Sequence, residues 1–213
     1  GEDAIELVRR CIGDADGLSA GGRDRLVETG TLGPFDSMPL MAAIPDPRMI
    51  LSVGMNYGRH LAEMKGTPKP KNPTAFIKVA ESLTGSGKPI IVPPQFPDMI
   101  DFEGEFCFVF GRVCHDVSAD EAMGHVAGYT IANDVSARDW VPEFFGVDGK
   151  FDAIHAWERN IMGKQLPSFT PCGPVMTTAD EIVDPHDLQV TTRLNGEVMQ
   201  STKTDDLIFK LPE

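Results

Sequence analysis

The chain is short of positive charge. Nineteen lysines and arginines stand against 32 aspartates and glutamates, for a net charge of −13 with histidine neutral. A field of that sign repels phosphate backbones and anionic headgroups, which argues against nucleic-acid and membrane partners. An anionic small molecule is admitted only where a local cation or a metal ion overrides the field. Long apolar runs are also missing, and none approaches the roughly 18 residues needed to span a bilayer. No charged-then-apolar segment opens the chain, so a cytoplasmic location is expected. Cysteine is sparse. Cys11, Cys107, Cys114 and Cys172 form no C-x-x-C pair and fit no zinc-ribbon spacing, so four separate reduced thiols are expected. The signatures G-x-G-x-x-G, P-loop, G-x-S-x-G and H-E-x-x-H are absent, which leaves no motif-level case for dinucleotide binding, P-loop chemistry, a serine elbow or a zincin site.

What remains is an ordinary globular composition, 41% hydrophobic and 24% charged over 213 residues. That length suits one large domain, or one domain with a small appendage. Residues 3–12 have helical spacing, with Ile5, Val8 and Ile12 toward one side, and 13–48 are loop-rich. Residues 1–48 therefore read as a small N-terminal region and 49–213 as one further domain. Ile50 to Val53 look like a short buried strand. Residues 64–75 read as a Pro/Lys-rich loop, and 87–101 as irregular connection.

Over residues 102–113 the pattern alternates. Phe102, Gly104, Phe106, Phe108 and Phe110 fall on one face of a strand; Glu103, Glu105, Cys107 and Val109 fall on the other. Ser118 and Glu121 form a capping box for a short helix over 119–126. Residues 126–134 suggest a strand running into a polar turn. Residues 188–194 and 197–202 flank Asn195-Gly196, the strongest short hairpin signal. The sum is an α+β, mainly β architecture rather than a doubly wound sheet.

Glu103 and Glu105 share a strand face roughly 6.5–7 Å apart. Held that close, two carboxylates repel each other and seek water, cations or a metal. All-oxygen ligation suits Mg²⁺, Mn²⁺ or Ca²⁺, but alone the pair reads more readily as two solvated glutamates on an exposed strand. Asp134, at the end of a strand, is either a third ligand or an Asx-turn residue. His60 and Glu63, three apart on a helical turn, are a proton-handling pair or a surface pair. Lys78 and Lys164 are lone cations able to bind a carboxylate or steady an enolate. Arg138 and Asp139 read as a structural ion pair.

Taken together these segments resemble the fumarylacetoacetate hydrolase family. The matching pieces are Gly54-Met-Asn-Tyr-Gly-Arg-His60-Leu-Ala-Glu63, Pro73-Thr-Ala-Phe-Ile-Lys78, Asp101-Phe-Glu103-Gly-Glu105 and Asn133-Asp134-Val-Ser-Ala-Arg138-Asp139. Lys164 before Gly173-Pro174, Thr178 to Pro185, and Leu194-Asn-Gly-Glu197 with Gln200 follow in order. The match runs from about residue 44 to the end.

The resemblance implies a mixed β-roll of packed sheets, usually a homodimer. It implies Glu103, Glu105 and Asp134 as metal ligands and His60 with Glu63 as the water-activating pair. Lys164 is implied as the enolate-stabilising lysine, and Lys78 and Arg138 as substrate-binding groups. The expected activity is metal-dependent cleavage of a C–C bond in a small 2-oxo or 2,4-dioxo acid. The alternatives are a decarboxylase or isomerase acting on oxaloacetate or an aromatic-degradation intermediate, and, in another class, a non-catalytic binder of metal and organic acid. Two features depart from the family. Val141 stands where many members carry Gln, and the chain ends at Glu213 where members continue through further strands, so a C-terminal part is expected to be missing.

Overall fold

The computed structural model describes residues 20–28, 34–64, 67–140 and 149–213. The helix expected over 3–12, Cys11 and Val141 lie outside them. A helix, α1 (Ala20–Glu28), precedes β1 (Ile50–Gly54), α2 (Gly58–Glu63), β2 (Thr74–Lys78) and β3 (Leu83–Thr84). Then come β4 (Ile100–Asp101), β5 (Gly104–Phe110), α3 (Ala119–Ala122), β6 (Val126–Asn133) and β7 (Ser136–Ala137). Helix α4 (Lys150–Met162), β8 (Thr170–Pro171), β9 (Thr177–Thr178), β10 (Gln189–Leu194) and β11 (Glu197–Lys203) complete the order. The result is a mixed α+β structure built mostly of strands in several small sheets, as expected.

The local signals explain most of these elements. In β5, apolar residues alternate with the polar ones, and the strand pairs antiparallel with β6 from Gly104↔Asn133 to Phe110↔Val126, with one bulge near its end. Strand β6 also carries β9 on its other edge. Phe106 and Tyr129 stack at 5.5 Å on one face of that sheet. The Asn195-Gly196 turn has both residues at positive φ, 53° and 88°, as a two-residue hairpin turn requires, and joins β10 to β11. At α3 the Ser118 N–H donates to the Glu121 carboxylate at 3.2 Å, the reciprocal half of the expected capping box. The α-helix is shorter than the expected 119–126 and continues as a 3₁₀ turn over Met123–His125.

Two expectations are corrected. Strand β1 is not buried on both faces: Leu51 and Val53 are 55% and 40% exposed, because β1 and β2 form a two-stranded ribbon packed on one side. Helix α4 has no counterpart in the sequence reading, yet it spans 13 residues and leads directly into Lys164. Its Trp157 lies against Gly54 of β1, where a Cβ would be 3.7 Å from the indole.

The tightest packing sits beside the chemistry. Val135, Ala137 and Phe169 are essentially inaccessible, with Ile90, Phe96, Ile100 and Leu166 packed around them. The Val135 N–H donates to the Phe169 carbonyl at 3.1 Å, so the segment after Asp134 is pinned by both its side chains and its backbone. The three described cysteines, Cys107, Cys114 and Cys172, are unpaired thiols.

Candidate metal and substrate site

The site begins with two hydrogen bonds to the Glu103 backbone that fix two carboxylates opposite each other. The Glu103 N–H donates to Asn133 Oδ1 at 2.9 Å, and the Asp134 N–H returns a bond to the Glu103 carbonyl at 2.7 Å. Glu103 stands just ahead of β5 and Asp134 just past β6, so the β5–β6 ladder sets their spacing. Glu105 is two residues on, paired with Ala132.

Three cations converge on these carboxylates. Lys164, at the end of α4, is 3% exposed; its Nζ donates to Glu103 Oε2 at 2.5 Å and Asp134 Oδ2 at 2.9 Å. The same ammonium lies 5.8 Å over the Phe76 ring. Lys78, also 3% exposed, ends β2; its Nζ donates to Asp134 Oδ1 and, at 3.2 Å, to the Phe169 carbonyl. Burial pulls its pKa down, and contact with Asp134 opposes that fall. Arg138 donates to Glu103 through Nη2, to Asp101 at 3.1 Å through Nε and to Asn160 at 3.2 Å through Nη1.

Arg138 therefore has neighbours that the sequence reading did not foresee. Its guanidinium braces Glu103 rather than facing open space. The ion pair expected between Arg138 and Asp139 is not formed: Asp139 accepts the N–H groups of Asp98 and Met99 at 3.0 and 2.9 Å and ties the turn to the segment before β4.

Against these three cations stand four carboxylates: Asp101, Glu103, Glu105 and Asp134. Glu105 is the one left over, with no ion pair among the described residues. Burial first, then repulsion from Glu103 and Asp134, push its pKa up to about 8. The cluster is one positive charge short, and the shortfall falls on Glu105.

Among the described residues, no three Asp, Glu, His or Cys side chains stand close enough as placed to hold a metal ion. The Lys164 ammonium occupies the space between Glu103 and Asp134 instead. The donor set nonetheless suits a hard divalent ion. It offers carboxylate oxygens only, two of them within reach of one cation and a third, Glu105, adjacent and without an ion pair among the described residues.

The structure thus brings together Glu103, Asp134, Lys78, Lys164 and Arg138, with Glu105 adjacent. It does not join His60 and Glu63 to them. These two sit on α2, largely exposed, with His60 Nδ1 3.5 Å from Glu63 Oε2. The helix itself is tied down from far along the chain. The Arg59 N–H donates to Asp206 Oδ2 at 2.9 Å, and the Asn56 amide exchanges two bonds with the Phe209 backbone at 3.0 and 2.8 Å. Asp101, Asn160 and Asp206 were not foreseen as contributors. Asp101 lies in the D-x-E-x-E stretch, which was the available signal; nothing local marks the other two.

Comparison with known proteins identifies relatives of this chain. The model of the fumarylacetoacetate (FAA) hydrolase C-terminal domain matches residues 49–213. Over 180 residues, 84% of the chain, the sequence is 39% identical to oxaloacetate tautomerase FAHD2A, mitochondrial, of Bos taurus, and the match covers 53% of that protein. The chain thus spans about half the length of the curated relatives it matches. Among solved structures, fumarylacetoacetate hydrolase from the psychrophile Exiguobacterium antarcticum superposes with a TM-score of 0.65 at 34% identity, covering 81% of this chain and 57% of that one. Maleylpyruvate hydrolase from Sphingobium sp. SYK-6, in complex with manganese(II) and pyruvate, superposes with a TM-score of 0.66 at 25% identity, covering 95% and 65%. No described helix is long and apolar enough to cross a membrane. With the family domain matched over residues 49–213 and the fold shared with these structures, the chain belongs to the fumarylacetoacetate hydrolase family.

Proposed function

We propose that this chain binds a small 2-oxo acid through a divalent cation, Mg²⁺ or Mn²⁺ in the first instance, held by Glu103, Glu105 and Asp134, and interconverts the keto and enol forms of that acid. The observation that carries this reading is geometric: Glu103 and Asp134 converge on one cation, and Glu105 stands beside them without an ion pair among the described residues, its carboxyl pushed up to about 8 by burial first and by the two carboxylates second. A cation bound there supplies the missing charge and Lewis acidity toward a 2-keto oxygen. It also accounts for an anionic substrate in a protein of net charge −13.

The chain's own groups do the rest. Lys164 holds positive charge beside Glu103 and Asp134, where an enolate oxygen or a substrate carboxylate is stabilised with little reorganisation. Lys78 neutralises Asp134 from the core side and keeps that carboxylate in place. Arg138 does the same for Glu103 from the other side. The pair that the family resemblance implies for moving the proton at the carbon next to the keto group is His60 with Glu63; it stands on α2 outside the cluster as placed, so this role rests on the resemblance alone. The mitochondrial relative named an oxaloacetate tautomerase supports enolisation as the whole reaction. The homodimer that the family resemblance implies belongs to this proposal, and sedimentation tests it.

A second reading follows from the water-activating role that the family resemblance implies for His60 and Glu63: with water as the base's target, the same enolate chemistry ends in C–C hydrolysis. The resemblance to maleylpyruvate hydrolase supports it. A substrate panel with Mg²⁺ separates the two. Oxaloacetate supplied as the enol should lose its enol absorbance faster with the protein, without release of fragments. Cleavage of acylpyruvates, crippled by His60→Ala, with no effect on oxaloacetate tautomers would establish the hydrolase instead. Inertness toward both classes would refute the enzyme reading and leave a metal and organic-acid binder.

A further inference from the structure

Hairpin β10–β11 meets the ligand strand at Gly104, the residue between Glu103 and Glu105. The Gln200 side-chain amide makes both available bonds to that residue's backbone. The Gly104 N–H donates to Gln200 Oε1 at 2.9 Å, and Gln200 Nε2 donates to the Gly104 carbonyl at 2.8 Å. The Thr192 hydroxyl, directly across the hairpin from Gln200, donates to the same Oε1 at 2.9 Å. A side chain here takes the place of a neighbouring strand on the outer edge of β5.

The need for such a clamp follows from the glycine. A Cβ at position 104 would lie 2.2 Å from Thr192 Oγ1, so the hairpin can approach this closely only over glycine. Glycine is also the residue with the widest choice of φ and ψ. Placed between two carboxylates meant for one ion, it is a loose joint. Rotation about its bonds swings Glu103 and Glu105 apart, and their mutual repulsion favours that movement. Fixing both the N–H and the C=O of the joint removes the freedom without adding a Cβ.

We infer that Gln200, oriented by Thr192, is a positioning residue for the metal site: it locks the Gly104 peptide so that Glu103 and Glu105 stay aimed at one cation. The inference rests on the reading that these two glutamates hold the ion. It assigns Gln200 no contact with metal or substrate. Loss of the clamp therefore weakens the ion through the ligands' geometry, as loss of a hydrogen bond behind a metal ligand does.

The test is calorimetric titration of the metal-free, folded protein with Mn²⁺, alongside urea unfolding of the same samples. Gln200→Met keeps the length of the side chain and removes the amide. It should weaken Mn²⁺ binding about tenfold or more. Thr192→Val, which releases only the orienting bond, should weaken it about threefold, and the double variant should lose no more than Gln200→Met alone because both act through one amide. Glu103→Ala is the control and should abolish binding. If Gln200→Met binds Mn²⁺ within twofold of the wild type while losing stability in urea, Gln200 is only a hairpin contact and the inference is overturned. If Gln200→Met fails to fold, Thr192→Val decides, and unchanged affinity in it counts against the clamp. If Glu103→Ala binds Mn²⁺ as the wild type does, the ligand assignment itself fails, and the inference fails with it.

Discussion

Consider the substitution of Gly104 by alanine. The added methyl would stand 2.2 Å from Thr192 Oγ1 and 3.1 Å from Gln200 Oε1. Ordinary carbon–oxygen contact begins near 3.4 Å, so Thr192 must retreat by about 1 Å. It cannot do so alone. Its hydroxyl is bonded to Gln200, whose amide is bonded to both polar groups of residue 104. Retreat therefore opens at least one of those bonds in a half-buried spot. Overpacking of this kind costs about 1–3 kcal/mol, and a backbone bond left unsatisfied adds about 1 kcal/mol. We expect Gly104→Ala to lose about 2–4 kcal/mol in urea unfolding of the metal-free protein. Gly124→Ala provides the control, since a Cβ there meets nothing within 4 Å; it should stay within about 0.5 kcal/mol of the wild type. If Gly104→Ala proved as stable as the Gly124 control, the hairpin would not be pressed against the ligand strand, and the argument for glycine between the two glutamates would fail.

Three other outcomes follow from the same geometry. Glu105 titrates near 8 in the folded protein against an ordinary value of 4.5, so its contribution to stability is complete below about pH 4.5 and is lost as pH rises toward 8. The metal-free protein should lose stability across that window, and Glu105→Gln should flatten the slope in urea midpoints taken at successive pH values; an identical slope in the variant would contradict the assignment. For the same reason Mn²⁺ should bind more tightly as pH rises toward 8, with proton release, which titrations in buffers of different ionisation enthalpy would detect. Lys164→Met strips a buried ammonium from Glu103 and Asp134 and should cost the metal-free protein about 3 kcal/mol or more in urea unfolding; a loss under about 1 kcal/mol would mean the cluster does not depend on it.

Much of the site was legible because its signals are local. The alternation over residues 102–113 placed Glu103 and Glu105 on one strand face, and the Asn195-Gly196 pair fixed the hairpin; His60 and Glu63 share a helix as their spacing required, but that helix does not bring them to the cluster. What escaped was non-local. Arg138 finds Asp101, Glu103 and Asn160 at separations of 37, 35 and 22 residues, and no short-range pattern distinguishes a guanidinium that braces a ligand from one that binds substrate. Gln200 reaches Gly104 across 96 residues. Helix α4 was missed because its apolar side is poorly defined: Phe151 and Ile154 are 79% and 52% exposed, and only Ala156 is buried. The ribbon β1–β2 shows the converse. Its apolar run looked buried, yet half of it faces outward.

We propose above that Glu103, Glu105 and Asp134 hold a cation that lets this chain enolise a 2-oxo acid. That proposal is tested most directly by hydrogen–deuterium exchange at the methyl group of pyruvate in heavy water, followed by NMR with the protein and Mg²⁺. This measurement sees enolisation whatever bond is later broken. Exchange should require both protein and Mg²⁺ and should disappear in Asp134→Ala and Glu103→Ala. Exchange that proceeds equally without Mg²⁺, or persists undiminished in those variants, would contradict the proposal.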